Sequence, residues 1–424
     1  MRTATVSRDC RVRLSGTFAW SATMINLSDI SAAAERIQSS ILATPLVFSP
    51  ALSSMFKGEI YLKMENLQKT GSFKIRGAMN LIGACQEKIP PGGVVAASAG
   101  NHAQGVALAA QQAGFPATVV MPVGASISKQ EATRSYGGKV ILQGRTVSES
   151  LAVAQQLAQD GRMFIHPFDD PLIMAGQGTI ALEILASLPD VDRVIVPVGG
   201  GGLIAGMAVA LKTLKPDVTI TGVQAAICPS AMEALRQGAV VAVPGGKSIA
   251  DGIAVRQTGK APFEIIRHQV DDVVVVKEED IAAAILLLME RKKIVAEGAG
   301  AVTLAALMSR AVAIQPDEKT VLLISGGNLD SPLLGRIIRK GLIQSGRIMR
   351  VNVMLEDVPG ALAHLLKLIA DRNANVLRIH HDRSRRDFPI SITAVELELE
   401  TRGEAHCAAI RQALEDAGYS LVFC

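Results

Sequence analysis

Between about residue 44 and residue 324, short apolar runs alternate with longer segments whose small and apolar residues recur at helical spacing. Runs at 44–46, 59–65, 93–97, 115–121, 139–142, 193–198, 219–224 and 320–324 read as strands. Segments 26–40, 74–84, 103–113, 128–136 and 203–214 read as helices, the first capped by Asn26 or Ser28. Most of the strands are continuously apolar rather than alternating, as parallel strands buried on both faces are. Strands and helices in this alternation build right-handed βαβ units. The pattern starts again at Asp192, which predicts two doubly wound α/β modules within residues 26–345, a smaller one over about 66–170 inserted in a larger one. After Gly346 the rhythm changes. Strands at 350–355, 374–379, 391–399 and 420–423 and helices at 361–372 and 404–417 give the order βαββαβ, a ferredoxin-like α+β domain over 349–424. The alternation in 393–399 fits an antiparallel sheet with one face covered by helices.

Composition agrees with this class. Of 424 residues, 49% are hydrophobic and only 3% aromatic, the profile of an α/β protein rich in parallel sheet. The net charge of +4 comes mainly from Arg2, Arg8, Arg11 and Arg13 against Asp9, so no basic stripe is left for a nucleic acid. The apolar run from Ile281 to Met289 is too short to span a bilayer, and no membrane partner is expected. Cys10, Cys85, Cys228, Cys407 and Cys424 are odd in number and lack disulfide or metal spacing, which points to a reducing cytoplasm. No metal site is expected: His380 and His381 lie on a hairpin tip at 380–389 with no third ligand at useful spacing. Residues 1–25 have no apolar periodicity and are set apart as a disordered or non-native arm. A transit peptide, or a start at Met24, would leave the same composition.

Candidate chemistry concentrates on Lys74. It sits between Phe73 and Ile75, after Gly71 and Ser72 and before Gly77. A lone lysine is ordinarily a solvated helix charge, but apolar flanks favour burial, which lowers its pKa and frees the amine for nucleophilic or base chemistry. Three glycine- or serine-rich turns follow, at 98–102, 199–202 and 325–328, each after an apolar strand. Where a helix follows such a turn, its N–H groups suit an anion, although each turn alone is also an ordinary strand-end turn. A buried lysine together with a phosphate cradle suggests a Schiff base to pyridoxal phosphate. Two rivals come from other classes. Gly200-x-Gly202-x-x-Ala205 fits the dinucleotide fingerprint of a nicotinamide oxidoreductase, yet the strand at 219–224 ends in Gln224 with no acid for the ribose. A catalytically silent amino-acid sensor would need Lys74 to be absent or unusable.

Ser72-Phe73-Lys74-Ile75-Arg76-Gly77-Ala78 resembles the lysine motif of the pyridoxal-phosphate-dependent serine/threonine dehydratases, in the tryptophan-synthase-β-like (fold type II) superfamily. The turns 98–102, 199–202 and 325–328 follow in that family's order, and the resemblance covers about residues 27–424. It implies that Lys74 holds pyridoxal 5′-phosphate and that Phe73 packs against its ring. It places Gly199, Gly200, Gly201, Gly202 and Leu203 around the phosphate and Ser325 on the pyridine nitrogen. Ser98, Ala99, Gly100, Asn101 and His102 would hold the substrate carboxylate, with Ser98 beside Lys74 among the catalytic groups and Asn101 on the cofactor's phenolic oxygen. Glu297 falls beside the ring, and 248–254 is a structural turn near the site.

Three departures sharpen the resemblance. Ile75 stands where β-replacement enzymes and threonine synthases carry aspartate. Ala99 replaces the acid/base serine of racemases, which favours elimination. Gln224 stands where some racemases have a glutamate for a divalent cation. The implied reaction is deamination of L-threonine to 2-oxobutyrate and ammonia, with L-serine as a second substrate. A serine dehydratase or racemase-type enzyme is the alternative. The turn Glu356-Asp357-Val358-Pro359-Gly360 resembles an ACT domain, implying a regulatory amino-acid effector near Asp357, Pro359 and Gly360; a ferredoxin-like appendage used for oligomerisation is the alternative. The family also implies a homotetramer, and leaves open isoleucine biosynthesis or threonine breakdown.

Overall fold

The structure, a computed structural model, describes residues 25–383, 389 and 391–422. The expectations for the N-terminal arm, for Cys10 and Cys424, and for 384–388 of the hairpin tip lie outside these residues. By their internal contacts the described residues form two compact units, with the break between Asp330 and Ser331.

In the first unit a six-stranded sheet runs in the order β1-β2-β10-β7-β8-β9. Its strands are β1 (Leu46–Phe48), β2 (Glu59–Lys63), β10 (Lys319–Leu323), β7 (Arg193–Pro197), β8 (Thr219–Ala225) and β9 (Asp272–Val276). All neighbours are parallel except β1 with β2. A smaller, wholly parallel sheet has the order β5-β4-β3-β6, from β5 (Gly138–Leu142), β4 (Ala117–Met121), β3 (Val94–Ala97) and β6 (Met163–Phe164). Because β3 to β6 lie between β2 and β7 in the chain, the smaller module is an insertion in the larger one.

The apolar runs do what their continuity requires: every residue of β3 and β4 is buried. The lysine helix, Lys74–Ala84, has the predicted limits, and Ile75 to Ile82 are all buried. The first helix, Leu27–Ile37, is capped by Asn26, whose side chain accepts from the N–H groups of Ser28 and Asp29 while Asp29 caps Asn26 in return.

The second unit begins with the helix Ser331–Gln344, which packs on β11 (Ile348–Glu356). The helix Ala361–Asp371, β12 (Asn375–Asp382), β13 (Ile392–Glu400), the helix Glu404–Asp416 and β14 (Ser420–Val422) complete it. This is the expected βαββαβ order, in an antiparallel sheet β12-β13-β11-β14. Its core joins Val351, Val353 and Leu355 to Val395, Leu397 and Leu399 beneath Leu365, Ile369, Ile410 and Leu414.

Two details correct the sequence reading. His380, His381 and Asp382 are strand residues rather than hairpin tip, because β12 stays paired with β13 out to Asp382 opposite Ala394. Glu398, outward by alternation, is buried because Arg339 of the helix Ser331–Gln344 (2.6 Å) and Arg350 (3.3 Å) close over its carboxylate.

Candidate active site

Lys74 is the first residue of its helix, and it opens onto a cavity of about 860 Å³ that both modules of the first unit line. Its amine donates to the carbonyl of Pro167 at 2.8 Å. Burial pushes the pKa of Lys74 down to about 8, with Glu297 opposing, so a large share of the amine is neutral near pH 8. The neighbouring imidazoles add no charge. Burial, and then Lys74, push His102 down to about 3, and its Nε2 lies 3.0 Å from the carbonyl of Ile165, a contact that assigns the proton to Nε2. His166 is lowered chiefly by burial; its Nδ1 accepts from the N–H groups of Phe168 (3.2 Å) and Asp169 (2.8 Å).

The three glycine- or serine-rich turns at 98–102, 199–202 and 325–328 all contribute to this cavity. Ser98, Ala99, Gly100, Asn101 and His102 end β3 and start the helix Asn101–Ala113; Ser98 Oγ accepts from Gly100 N–H at 3.2 Å. Gly199 to Gly202 connect β7 to the helix Gly202–Leu214, whose first N–H groups have no partner within the helix. Gly201 has φ +95°, a left-handed conformation that side chains rarely adopt, and a Cβ on Gly200 would run into the ring of Phe168. Leu203 and Phe73 line the same cavity. Ser325 follows β10, and its carbonyl accepts from Phe73 N–H at 3.1 Å, which ties the lysine loop to the serine turn. Ser325 Oγ is buried without a hydrogen-bond partner in the protein.

These features fit a phosphorylated pyridine cofactor. The side-chain-free glycine turn opens onto the cavity at a helix N-terminus, the orphaned hydroxyl lies at the same cavity, and the poised amine is available to an aldehyde carbon. Glu297, the N-cap residue of the helix Gly298–Met308, makes no capping bond; it accepts instead from Asn101 Nδ2 at 2.6 Å. Burial, and then Asp251, push its pKa up to about 8.

Gln224 belongs to the scaffold. Its Oε1 accepts from the N–H groups of Ala231 (2.9 Å) and Met232 (3.0 Å) at the start of the helix Ser230–Gln237, and its Nε2 donates to the carbonyl of Val198 (3.2 Å). It therefore offers no carboxylate to a ribose or a divalent ion. Among the described residues no three His, Cys, Asp or Glu side chains gather as a metal site, and no helix is long and apolar enough to cross a membrane. Asp357, Pro359 and Gly360 lie in the second unit, between β11 and the helix Ala361–Asp371. Asp357 pairs with Arg383 at 3.1 Å, and Gly360 has φ +93°.

The turn His166-Pro167-Phe168-Asp169-Asp170 is absent from the sequence reading, yet it contributes the lysine's carbonyl partner and the wall behind Gly200. The carboxylate of Asp169 accepts from the N–H groups of Lys260 and Ala261 (both 3.0 Å), and Asp170 caps the helix Pro171–Ser187. Asp170-Pro171, an N-cap followed by proline at the first helical position, was the available signal. The turn 248–254 contributes Asp251, Gly252, Ile253 and Ala254 to the cavity, and Asp251 pairs with Lys129 of the smaller module at 2.6 Å.

The chain is similar to several known proteins. The family model described as pyridoxal-phosphate dependent enzyme matches residues 37–326, and the ACT domain model matches 349–407. An L-threonine ammonia-lyase of Thermotoga maritima is 49% identical over 399 residues, 94% of this chain and 99% of that protein. Among solved structures, a threonine deaminase of T.th. is 40% identical with a TM-score of 0.68, covering 72% of this chain and 99% of that one. Maize serine racemase is 34% identical with a TM-score of 0.71, covering 75% of this chain and 98% of that one. On these matches, the chain belongs to the pyridoxal-phosphate dependent enzyme family and carries a C-terminal ACT domain.

Proposed function

We propose that the chain deaminates L-threonine to 2-oxobutyrate and ammonia by eliminating the β-hydroxyl, and converts L-serine to pyruvate in the same way. The observation that carries this is the amine of Lys74, which has no carboxylate partner and opens onto a cavity lined by a glycine- or serine-rich turn from each module. Its support from relatives is the L-threonine ammonia-lyase matched over 94% of this chain. Bound pyridoxal phosphate supplies an electron sink for the bond that breaks at Cα.

The protein's own groups do the rest. The turn from Ser98 to His102 holds the substrate carboxylate at the start of its helix, and the N–H groups of Gly199 to Gly202 hold the phosphate. Lys74 Nζ, neutral once deprotonated, removes the Cα proton, and the hydroxyl leaves from Cβ as water on a proton that the cofactor phosphate or a bound water would give it. The released enamine hydrolyses to the 2-oxo acid and ammonia. Ser325 Oγ, buried without a partner in the protein, would donate to the pyridine nitrogen, and a hydroxyl there could not hold that nitrogen protonated as a carboxylate would, which suits elimination of a leaving group already in place. Ala99 has no proton to exchange on the opposite face of Cα, which speaks against racemisation. Threonine and serine differ by one methyl in the pocket, about 1–3 kcal/mol of discrimination.

The first unit carries the reaction, and residues 349–424 carry regulation by an amino acid held near Asp357, Pro359 and Gly360. The active form is a cytoplasmic homotetramer. The test is 2-oxo acid formation and the visible absorbance of the purified protein. A yellow protein that releases 2-oxobutyrate, with Lys74→Ala inactive, supports the reading; a colourless protein that pyridoxal phosphate cannot reconstitute overturns it. A yellow protein that turns over serine alone keeps the chemistry and overturns threonine as the substrate.

A further inference from the structure

Asn101 and Glu297 form one end of a longer polar chain. Asn101 Nδ2 donates to Glu297 Oε1 at 2.6 Å, and Asn101 Oδ1 accepts from Asn328 Nδ2 at 2.8 Å. Asn328 Nδ2 also donates to the backbone carbonyl of Thr70 at 2.7 Å. A carbonyl can only accept, so the edge of Asn328 that faces Thr70 must be its nitrogen. That nitrogen has two protons, and the second points to Asn101 Oδ1 at 2.8 Å, with Gln104 Oε1 farther away at 3.4 Å. The facing atom of Asn101 must then be its oxygen, which turns its nitrogen toward Glu297. The orientation of a carboxamide, normally ambiguous between its two ends, is set here from a backbone carbonyl. Gly326 makes room for the chain, since a Cβ there would overlap Glu297 Oε1.

We propose that Asn328 is a positioning residue that locks the Asn101 carboxamide with its nitrogen toward Glu297, so that the remaining Nδ2 proton serves a cofactor oxygen. Asn101 lines the cavity and Asn328 does not. An N–H at that place stabilises an anionic oxygen, whereas the flipped amide would oppose it with its own oxygen. This inference rests on the reading of Asn101 as a cofactor contact.

Asn328→Asp keeps the shape and replaces the donor by an acceptor. It faces both the Thr70 carbonyl and Asn101 Oδ1 with like partial charge, which drives the Asn101 amide to turn over. In the loaded enzyme, Asn328→Asp is expected to move the midpoint of the cofactor band's pH titration by about one unit and to lower kcat/KM roughly tenfold or more. If Asn328 acts through Asn101, adding Asn328→Asp to Asn101→Ala changes neither quantity further. An unshifted titration in the single variant, or two effects that multiply in the double variant, overturns the proposal.

Should Asn328→Asp prevent folding, the other end of the chain reports. Glu297→Gln still offers Asn101 an acceptor and should keep the parent's titration midpoint. Glu297→Leu should shift it, and identical behaviour of the two would count against the chain. A cofactor-free readout separates this proposal from the assigned chemistry. The Asn101 side-chain amide protons should exchange slowly with solvent in the parent and fast in Asn328→Asp, and equal rates overturn the proposal even if pyridoxal phosphate never binds.

Discussion

Two cations on one helix, Arg76 fully buried and Lys74 half-buried at the cavity, are treated oppositely by the structure. Arg76 is fully buried behind the helix and all five of its N–H groups are satisfied. Nε and Nη2 meet the two oxygens of Glu65 at 2.8 and 2.7 Å, Nη1 and Nη2 meet Glu183 at 2.7 and 2.9 Å, and Nη1 reaches Thr179 Oγ1 at 3.1 Å. Burial by itself would lower its pKa; Glu65 and Glu183 hold it above the usual value. Lys63 joins the cluster through Glu183 and the Thr44 carbonyl, both at 2.5 Å. Lys74, facing the cavity, has a backbone carbonyl and no carboxylate in hydrogen-bond contact, and its pKa falls to about 8. The carboxylates that Arg76 has and Lys74 lacks separate the cation that holds the helix from the one left free to react.

The largest expected effect comes from breaking the compensated side. Arg76→Met leaves the buried Glu65 without its cation and should lower stability by about 3–5 kcal/mol, read by urea unfolding of the cofactor-free protein. Loss of less than about 1 kcal/mol would show that the network is dispensable.

On the uncompensated side the sign reverses. The Lys74 amine has a folded pKa near 8 against an ordinary 10.5, so the folded state binds fewer protons than the unfolded state between those values. The penalty is full below pH 8, fades as the pH rises, and is gone above 10.5. Lys74→Met should therefore stabilise the cofactor-free protein by up to about 3 kcal/mol at neutral pH, and by nothing once the pH passes 10.5. A gain that does not depend on pH would sink this account.

The smallest effect sets the scale for solvated charges. Lys367 and Asp371 are both exposed and 3.2 Å apart at i, i+4 in the second unit. Asp371→Asn should cost no more than about 0.5 kcal/mol in the same unfolding measurement.

The two sides of the helix were not equally legible. The limits of the lysine helix, the glycine turn after β7 and the serine turn after β10 are local: Gly, Ser and apolar runs mark them through backbone freedom and periodicity. The compensated cluster was hidden. Glu59, Tyr61, Lys63 and Glu65 alternate with Ile60, Leu62 and Met64, a pattern that assigns the charged set to solvent. Lys63 and Glu65 are nevertheless buried, Glu65 against Arg76 and Lys63 against Glu183, which the helix Pro171–Ser187 brings across more than a hundred residues of chain. Phe168, Asn328 and Lys129 escaped for the same reason: their partners are remote in sequence.

The sequence by itself determined the α/β class, the ferredoxin-like domain and the glycine- and serine-rich turns that follow apolar strands, because those depend on neighbours within a few residues. Only the tertiary structure decided which charges are paired, which amine stands without a carboxylate, and which way the Asn101 amide points. Each depends on the distance between groups that the chain keeps far apart, and the strength of an electrostatic contact depends on that distance and on the water excluded around it.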